Sequence, residues 1–337
     1  MSASMNTTGA AIRAFRVFED GKFGTGRFAD LPADQLDAGN VVIRSLYASV
    51  NYKDALTALG RAKIVTRFPC TAGIDVCGEV TQSEDARFKP GDQVIAHGFA
   101  IGADHDGGYQ DVNRFPADWL VKVPTGLEAF ETAALGVAGY TAALSVDLME
   151  LNGLAPGKGR VLVNGATGGA ASVAIDLLAG RGYEVVALSG KPEAADYLRA
   201  LGASQVIDRH KFDFGTRPLE KPQWQGAVDS VGGEQLAWLA RSMQADGVIA
   251  AFGNAGGIEF KGSVLPYILR GVRLIGVNAN SPMPLRTRIW QRLAGDLKPR
   301  HLDKIARRIR FADLPQAFAD LIDAKAVGRM VVDFSLR

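Results

Sequence analysis

The stretch that decides the fold is Gly159–Lys191, GRVLVNGATGGAASVAIDLLAGRGYEVVALSGK. Its apolar run Val161-Leu162-Val163 has the length of a buried strand, and the turn Gly165-Ala166-Thr167-Gly168-Gly169 follows it. Small and apolar residues then recur at helical spacing through Ala174, Leu177 and Leu178, and Gly180 and Gly182 punctuate the end. A second run, Val185-Val186-Ala187-Leu188, reads as the next strand. Strand, glycine turn, helix, strand is a βαβ unit, and such a turn suits a dinucleotide pyrophosphate. Glycines let backbone N–H groups approach phosphate oxygens, and the helix N-terminus adds a partial positive charge there. The candidate contacts are Ala166, Thr167, Gly168, Gly169, Ala170 and Ala171. The pattern is Gly165-x-x-Gly168-x-x-Ala171, not a strict GxGxxG, so alone it also fits a tight strand-to-helix turn in any α/β protein.

The surroundings narrow the choice. From about Ala133 small and apolar residues continue through Gly139-Tyr140-Thr141-Ala142-Ala143-Leu144 to Leu151, which predicts a helix. Strand candidates then alternate with helices: Gln205–Ile207, Gly226–Asp229, Gly247–Phe252 and Val272–Val277, with helices at 193–201, 233–243 and 263–270. That alternation predicts a doubly wound parallel sheet covered on both faces. Residues 10–135 read differently, as short strands such as Val41–Leu46, Ile74–Val80, Gln93–Ala96 and Trp119–Pro124, broken by Gly and Pro. They predict a barrel-like or sandwich-like β domain. Basic amphipathic stretches follow near Trp290–Leu297 and 302–309, and the strand-like Gly328–Phe334 has nothing to pair with in a sheet closing near 278. It is predicted to return to the N-terminal β domain. The expected boundaries are therefore 1–135, 136–278 and 279–337.

At 337 residues two domains are the natural expectation. Thirty-eight basic against 36 acidic residues leave a net charge of +2, which is no footprint for nucleic acid or an anionic membrane. No apolar run is read as approaching the ~20 residues of a membrane span. The start, MSASMNTTGA, lacks a basic region followed by an apolar core and reads as a short disordered lead, which points to a cytoplasmic protein. Only Cys70 and Cys77 occur, which excludes a disulfide framework; both read as buried small apolar residues.

The cofactor is legible at the end of the second strand. An NAD site wants a carboxylate there for the ribose 2′-hydroxyl. Here the strand ends in Ser189-Gly190-Lys191, and Glu184 sits at its opposite end. A hydroxyl and a cation suit a 2′-phosphate, so the expected cofactor is NADP(H).

Several segments together carry a resemblance. They are Asn51-Tyr52-Lys53-Asp54-Ala55-Leu56, Pro69-Cys70-Thr71-Ala72-Gly73-Ile74-Asp75 and Gly139-Tyr140-Thr141-Ala142, followed by the glycine turn and Ser189-Gly190-Lys191. Trp224–Gly232 and Pro266-Tyr267-Ile268-Leu269-Arg270 complete the set. In order and spacing over nearly the whole chain they resemble the zinc-free medium-chain dehydrogenases/reductases, in the acryloyl-CoA reductase subfamily that also carries quinone-oxidoreductase labels. The resemblance implies a GroES-like catalytic domain interrupted by a Rossmann domain, with the active site in the cleft between them. Absences agree with the zinc-free branch. Two cysteines cannot make a four-cysteine lobe, and zinc-dependent relatives would carry Cys at the position of Asn51 and His-Glu at Ile74-Asp75. His97 and His105 with Asp104 and Asp106 are the remaining metal candidates, without a repeated ligand spacing, so no metal is expected.

Without a metal Lewis acid, reduction of an activated C=C bond becomes the expected task. The resemblance implies NADPH-dependent reduction of acryloyl-CoA or a short enoyl-CoA, with hydride to the β-carbon and a proton to the α-carbon. It places Tyr52 beside the cofactor, where its phenol could donate to the enolate oxygen, while Asn51 and Asp54 order the loop and Lys53 could do either. It also suggests Arg209 near the adenine side, Asn254 and Ile268 near the nicotinamide, and Gly328 at the returning strand. Two departures stand out: Ala170-Ala171 where relatives usually read Val-Gly, and Asn278-Ala279 where they often read Asp-Ser. Arg270 and Arg273 could meet CoA phosphates or cap a helix end. The competing functions are an NADPH-dependent quinone or enone reductase and a non-catalytic NADPH-binding sensor or structural protein. A homodimer or higher homo-oligomer is expected through the sheet edge around 247–280.

Overall fold

Strands β1 (Ile12–Phe18), β2 (Thr25–Leu31) and β3 (Val41–Ser49) open the chain, followed by helix α1 (Tyr52–Ala58). Strands β4 (Cys70–Thr71), β5 (Asp75–Ser83), β6 (Gln93–His97), β7 (Val112–Phe115) and β8 (Leu120–Lys122) come next. Helix α2 (Ala129–Leu151) leads into β9 (Val161–Asn164), α3 (Gly169–Gly180), β10 (Val185–Ser189), α4 (Ala195–Ala200) and β11 (Ala203–Asp208). The alternation continues with β12 (Trp224–Asp229), α5 (Gly233–Ser242), β13 (Met243–Ala251), α6 (Leu265–Arg270) and β14 (Arg273–Gly276). Then come α7 (Met283–Ala294), α8 (Leu302–Ile305), β15 (Ala306–Ile309), α9 (Leu314–Ile322) and β16 (Arg329–Asp333). This computed structural model describes residues 11–336, so the reading of residues 1–10 as a disordered lead lies outside the described residues. Two compact units emerge: residues up to Val137 with those from Ala306 on, and Ala138–Ile305.

In the second unit six parallel strands run in the order β11-β10-β9-β12-β13-β14. This is the doubly wound sheet, and its strand order reverses between β9 and β12. Every residue of β9, β10 and β12 is buried, which explains the apolar runs Val161–Val163 and Val185–Leu188: both faces are covered by helices. The unit does not close at residue 278. Residues 279–305, expected with the returning segment, belong to it. Helix α7 is fastened there by Arg288 and Arg292, which both pair with the buried Asp147 of α2 at 2.5 and 2.9 Å, and by the fully buried Trp290. The basic side of this amphipathic stretch thus holds an ion-pair network.

The first unit contains a sheet ordered β15-β16-β3-β5-β6-β8, with β7 also on β3, and a smaller sheet β2-β1-β4. The late strand β16 lies antiparallel to β3, with Val331 opposite Ser49 and Asp333 opposite Tyr47. Phe15, Ile43, Val76, Val94, Phe115 and Phe318 sit in its core. The stretch 302–309 is helical only to Ile305; Ala306–Ile309 is a strand parallel to β16.

One expectation needs correction. Helix α2, 23 residues long, is apolar enough to cross a membrane by length and composition. It is mostly buried within the protein, and Gly136 at φ 48°, ψ −150° breaks its helical path. Its apolarity is that of a core helix.

Candidate active site

The glycine turn lies at the C-terminal end of β9 in the second unit. Gly165 has φ +56°, which favours glycine, and the Gly168 amide donates to the Gly165 carbonyl at 2.8 Å. Gly168 is the N-cap of α3 and is exposed, whereas Ala166, Thr167 and Ala171 are buried and Gly169 and Ala170 half-buried. Ser172 Oγ donates to the Ala166 carbonyl at 3.1 Å, holding the turn from inside the helix. The first-turn amides of a 12-residue helix therefore start at an exposed, side-chain-free surface, the arrangement that binds phosphate. Ala171, in the first turn of α3, is 1 % exposed.

At the end of β10, Ser189 Oγ accepts the Lys191 amide at 3.0 Å, and the Arg209 amide donates to the Ser189 carbonyl at 2.8 Å. A Cβ on Gly190 would lie 2.5 Å from Arg209 Nε, so the missing side chain lets Arg209 lie across the turn. Ser189, Gly190, Lys191 and Arg209 are thus gathered from two strand ends. Burial lowers the Lys191 pKa, with Glu193 opposing. The carboxylate of Asp208 is turned to its own loop, accepting the His210 amide at 2.9 Å.

The strand-order reversal holds residues that sequence reasoning passed over. Asn164 Nδ2 donates to Asp229 Oδ1 at 2.6 Å, linking β9 to β12, and Asn164 Oδ1 accepts the Ser230 amide at 2.7 Å. Asp229 also accepts the Gly232 amide, and its carboxyl is pushed up by burial, which these hydrogen bonds oppose. A Cβ on Gly253 would lie 1.8 Å from the Ser230 carbonyl carbon, so this loop and the one carrying the exposed Asn254 pack backbone to backbone. Asp229 stood inside the quoted segment Trp224–Gly232; its role needed the partner strand. Ile268 is 68 % exposed on α6, with Leu269 and the preceding Val264 also exposed.

In the first unit, α1 begins at Tyr52, which is 39 % exposed, and Lys53 is exposed beside it. Beneath them lies a buried polar network. Asp54, third in the helix, accepts the Asn51 amide and Asn51 Nδ2 at 3.0 and 3.1 Å on Oδ2, and the Ile74 amide at 3.0 Å on Oδ1. Asp75 accepts from the Ser49 amide at 3.0 Å, Ser49 Oγ at 2.6 Å, Asn51 Nδ2 at 3.1 Å and the Val137 amide at 2.9 Å. The guanidinium of Arg329, next to Gly328 (φ +67°), donates to the Ala134 carbonyl, Asn51 Oδ1 and Ser49 Oγ. Tyr109 is fully buried, its hydroxyl 2.9 Å from the Ser49 carbonyl and 3.0 Å from Asp54 Oδ2. Burial first, then the charge of Asp75, raises Asp54 to about 7. Burial lowers the Arg329 pKa, and Asp75, Tyr109 and Asp54 oppose this.

Other candidates have structural duties. His105 faces the Asp106 and Ala38 carbonyls, both at 3.0 Å; Asp104 accepts from Thr66 Oγ, and Asp106 pairs with Arg16 and Arg67. Among the described residues no three His, Cys, Asp or Glu side chains converge as metal ligands. Arg270 donates to the carbonyls of Arg241, Met243 and Glu220, and Arg273 to Asp246. Both stabilise the second unit's backbone, against the suggestion of CoA phosphates.

Residues 37–125 match the family described as alcohol dehydrogenase GroES-like domain, and residues 169–295 the one described as zinc-binding dehydrogenase. The acrylyl-CoA reductase AcuI of Ruegeria pomeroyi is 43% identical over 90% of this chain and 92% of its own length. The chain belongs to the medium-chain dehydrogenase/reductase superfamily. Within that superfamily, YhfP of Bacillus subtilis, a candidate quinone oxidoreductase, is 45% identical over 90% of this chain and 91% of its own. The crystal structure of YhfP with NAD bound superimposes with a TM-score of 0.92, covering 97% of this chain and 100% of that one. The yhdH oxidoreductase of Salmonella enterica in complex with NADP also gives 0.92, at 39% identity, covering 96% and 99%. The Rossmann sheet and the GroES-like portion expected from sequence are those of this superfamily.

Gly136 joins α2 to the buried network. A Cβ there would lie 2.5 Å from Asp75 Oδ2 and 2.6 Å from Ser49 Oγ, on a backbone at φ +48°. G136A should therefore destabilise the protein by about 2 kcal/mol or more through backbone strain and overpacking. Urea unfolding of the whole chain measures this; an unchanged midpoint would show that the kink tolerates a side chain.

Proposed function

We propose that this protein reduces the activated C=C bond of acryloyl-CoA, or a related short enoyl-CoA, with NADPH and without a metal. The observation that carries the reading is the pairing of two features in one chain. One is a basic strand end, Ser189-Gly190-Lys191 with Arg209 lying across it; the other is a Tyr-bearing helix start set on a buried polar network. The 43%-identical AcuI supports the substrate class. The sequence relationship to YhfP supports a second reading, an NADPH-dependent quinone or enone reductase.

The residues present fit the cofactor. The Gly168–Ala171 amides suit the pyrophosphate, with Ala166 and Thr167 shaping the turn, and the missing Gly190 side chain leaves Arg209 free to lie over an adenosine phosphate. Lys191 and Arg209 supply charge-assisted hydrogen bonds that a 2′-hydroxyl could not use fully. Asn254 on the loop packed against Ser230–Gly232, and Gly328 before β16, are assigned to the nicotinamide side. Ile268 is read instead as surface. NADPH, when bound, supplies the hydride. Negative charge then grows on the thioester oxygen, and the Tyr52 hydroxyl donates to it. Asn51 and Asp54 hold the turn that aims Tyr52. The α-carbon takes its proton from water or a side chain.

Exchanging Lys191 for Ala together with Arg209 for Ala should lower kcat/KM for NADPH by about 10–100-fold, from charged hydrogen bonds worth ~1.5–3 kcal/mol, and leave NADH nearly unchanged. Equal losses with both cofactors would remove the 2′-phosphate assignment.

The decisive experiment follows NADPH oxidation with acryloyl-CoA, other enoyl-CoAs, quinones and aldehydes. Acryloyl-CoA should be preferred; a strong preference for a quinone would establish the second reading, and binding of NADPH with no turnover would favour a sensor. On the preferred acceptor, Tyr52→Phe should cost about 2.7–4 kcal/mol in the barrier with NADPH affinity retained. Undiminished turnover would end the role of Tyr52.

We further propose a homodimer through the edge strand β14. It ends the sheet, and Ile258, Phe260, Val264, Ile268 and Leu269 are exposed in the segment between β13 and β14. Sedimentation should give twice the chain mass, and Leu269→Glu should shift it towards a monomer; a wild-type monomer contradicts the proposal.

A further inference from the structure

The hydroxyl of Tyr109 has one hydrogen and two neighbours within reach, the Ser49 carbonyl at 2.9 Å and Asp54 Oδ2 at 3.0 Å. A carbonyl only accepts, and so does an ionised carboxylate. With Asp54 ionised, Tyr109 satisfies one of them and faces the other with a lone pair. With Asp54 protonated the chain closes: Asp54 Oδ2–H donates to the Tyr109 oxygen, and Tyr109 O–H donates to the Ser49 carbonyl. Asp54 Oδ1 still accepts the Ile74 amide, and the Asn51 amide and Nδ2, at 3.0 and 3.1 Å, share the acceptor capacity that Oδ2 keeps. Burial raises the Tyr109 pKa well above the ordinary tyrosine value, so its own hydrogen stays in place.

Charge counting points the same way. The charged and titratable groups facing Asp54 are Asp75 from β5, Tyr109 and, from β16, Arg329. One guanidinium balances one carboxylate, and that one is Asp75, which shares Ser49 Oγ and Asn51 with Arg329. From β1, β2 and α9, which also pack on α1, the side chains of Arg13, Arg16, Arg27 and Asp320 are turned to Asp111, Asp106, the Phe18 ring and Gln316. A second carboxylate in this space is uncompensated.

We propose that Asp54 carries a proton that it donates to the Tyr109 oxygen, and that this proton positions the Asn51–Tyr52 turn for catalysis. Both are positioning residues. The proposal rests on the reading of Tyr52 as the donor. Loss of the proton leaves two carboxylates against one guanidinium, and the Asn51 groups that fix the start of α1 lie between them. Stability follows the same direction. Asp54 binds its proton more tightly folded than unfolded, so its contribution is full below about 3.8 and is lost as the pH rises through about 7.

The test uses the whole protein with NADPH and the best acceptor, and reads the carbon-13 carboxyl signal of Asp54, assigned by its loss in D54N. That signal should titrate near pH 7, and kcat should fall above the same pH, approaching tenfold per unit, while the Kd for NADPH holds. D54N, neutral at every pH, should turn over more slowly yet lose the pH step, and Tyr109→Phe should displace it. A carboxyl titrating below pH 5, or a step unchanged in D54N, overturns the proposal. NADPH binding by both variants reports that they fold. Should no acceptor be reduced at all, the proposed function fails, while the carboxyl titration in wild type and Tyr109→Phe still decides whether Asp54 carries the proton.

Discussion

The guanidinium of Arg329, 3 % exposed, is the constraint on which the first unit depends. A cation so far from water persists only where oxygens replace its hydration, and the fold supplies them from four places. They are the Ser49 hydroxyl at the end of β3, the Val50 carbonyl, the Asn51 side chain ahead of α1, and the Ala134 carbonyl of α2. The compensating charge, Asp75, reaches the same hydroxyl and amide and also takes the Val137 amide just beyond the Gly136 kink. A residue near the C-terminus therefore fixes the helix start that carries Tyr52, some 280 positions earlier, and β16 is held in the sheet by more than its ladder with β3. Such a network is demanding in a low-dielectric interior, because removing any partner leaves a buried polar group unmatched.

The second unit solves a different problem, the approach of an anion to bare backbone. Its devices are negative ones. Positions 165, 168 and 190 lack side chains where a Cβ would meet the Ser230 hydroxyl, the Gly165 carbonyl and the Arg209 guanidinium. Positive charge is supplied only at the far end, by Lys191 and Arg209, where a 2′-phosphate would need it. Between them, the Asn164–Asp229 hydrogen bond ties the two strands on either side of the order reversal and fixes the loop at Ser230–Gly232.

Local patterns were read well where one interaction range governs them. The βαβ unit, its glycine turn and the strand-end Ser189-Gly190-Lys191 depend on neighbours a few residues away. So did the strands at Val41, Gln93, Val161 and Val185. The same reading failed where side chains meet across distance. The basic amphipathic pattern near Trp290 did not reveal that Arg288 and Arg292 pair with Asp147; Ala129–Leu151 passes for a spanning helix because a core helix has the same composition. Ser49, Tyr109 and Arg329 went unnoticed, although an arginine opening the apolar run Met330-Val331-Val332 is itself a signal of an inward cation.

By itself the sequence determined the superfamily, the parallel sheet, the glycine turn and the basic character of the strand end that follows it. These are written in periodicity and in short-range chemistry, which act before the chain has folded. Only the tertiary structure decided that Asn51, Asp54 and Asp75 share one buried space with Tyr109 and Arg329, and that Asp54 is consequently raised to about 7. The reason is physical: a carboxyl's affinity for its proton depends on the water removed and the charges brought near, and neither exists until distant segments pack together.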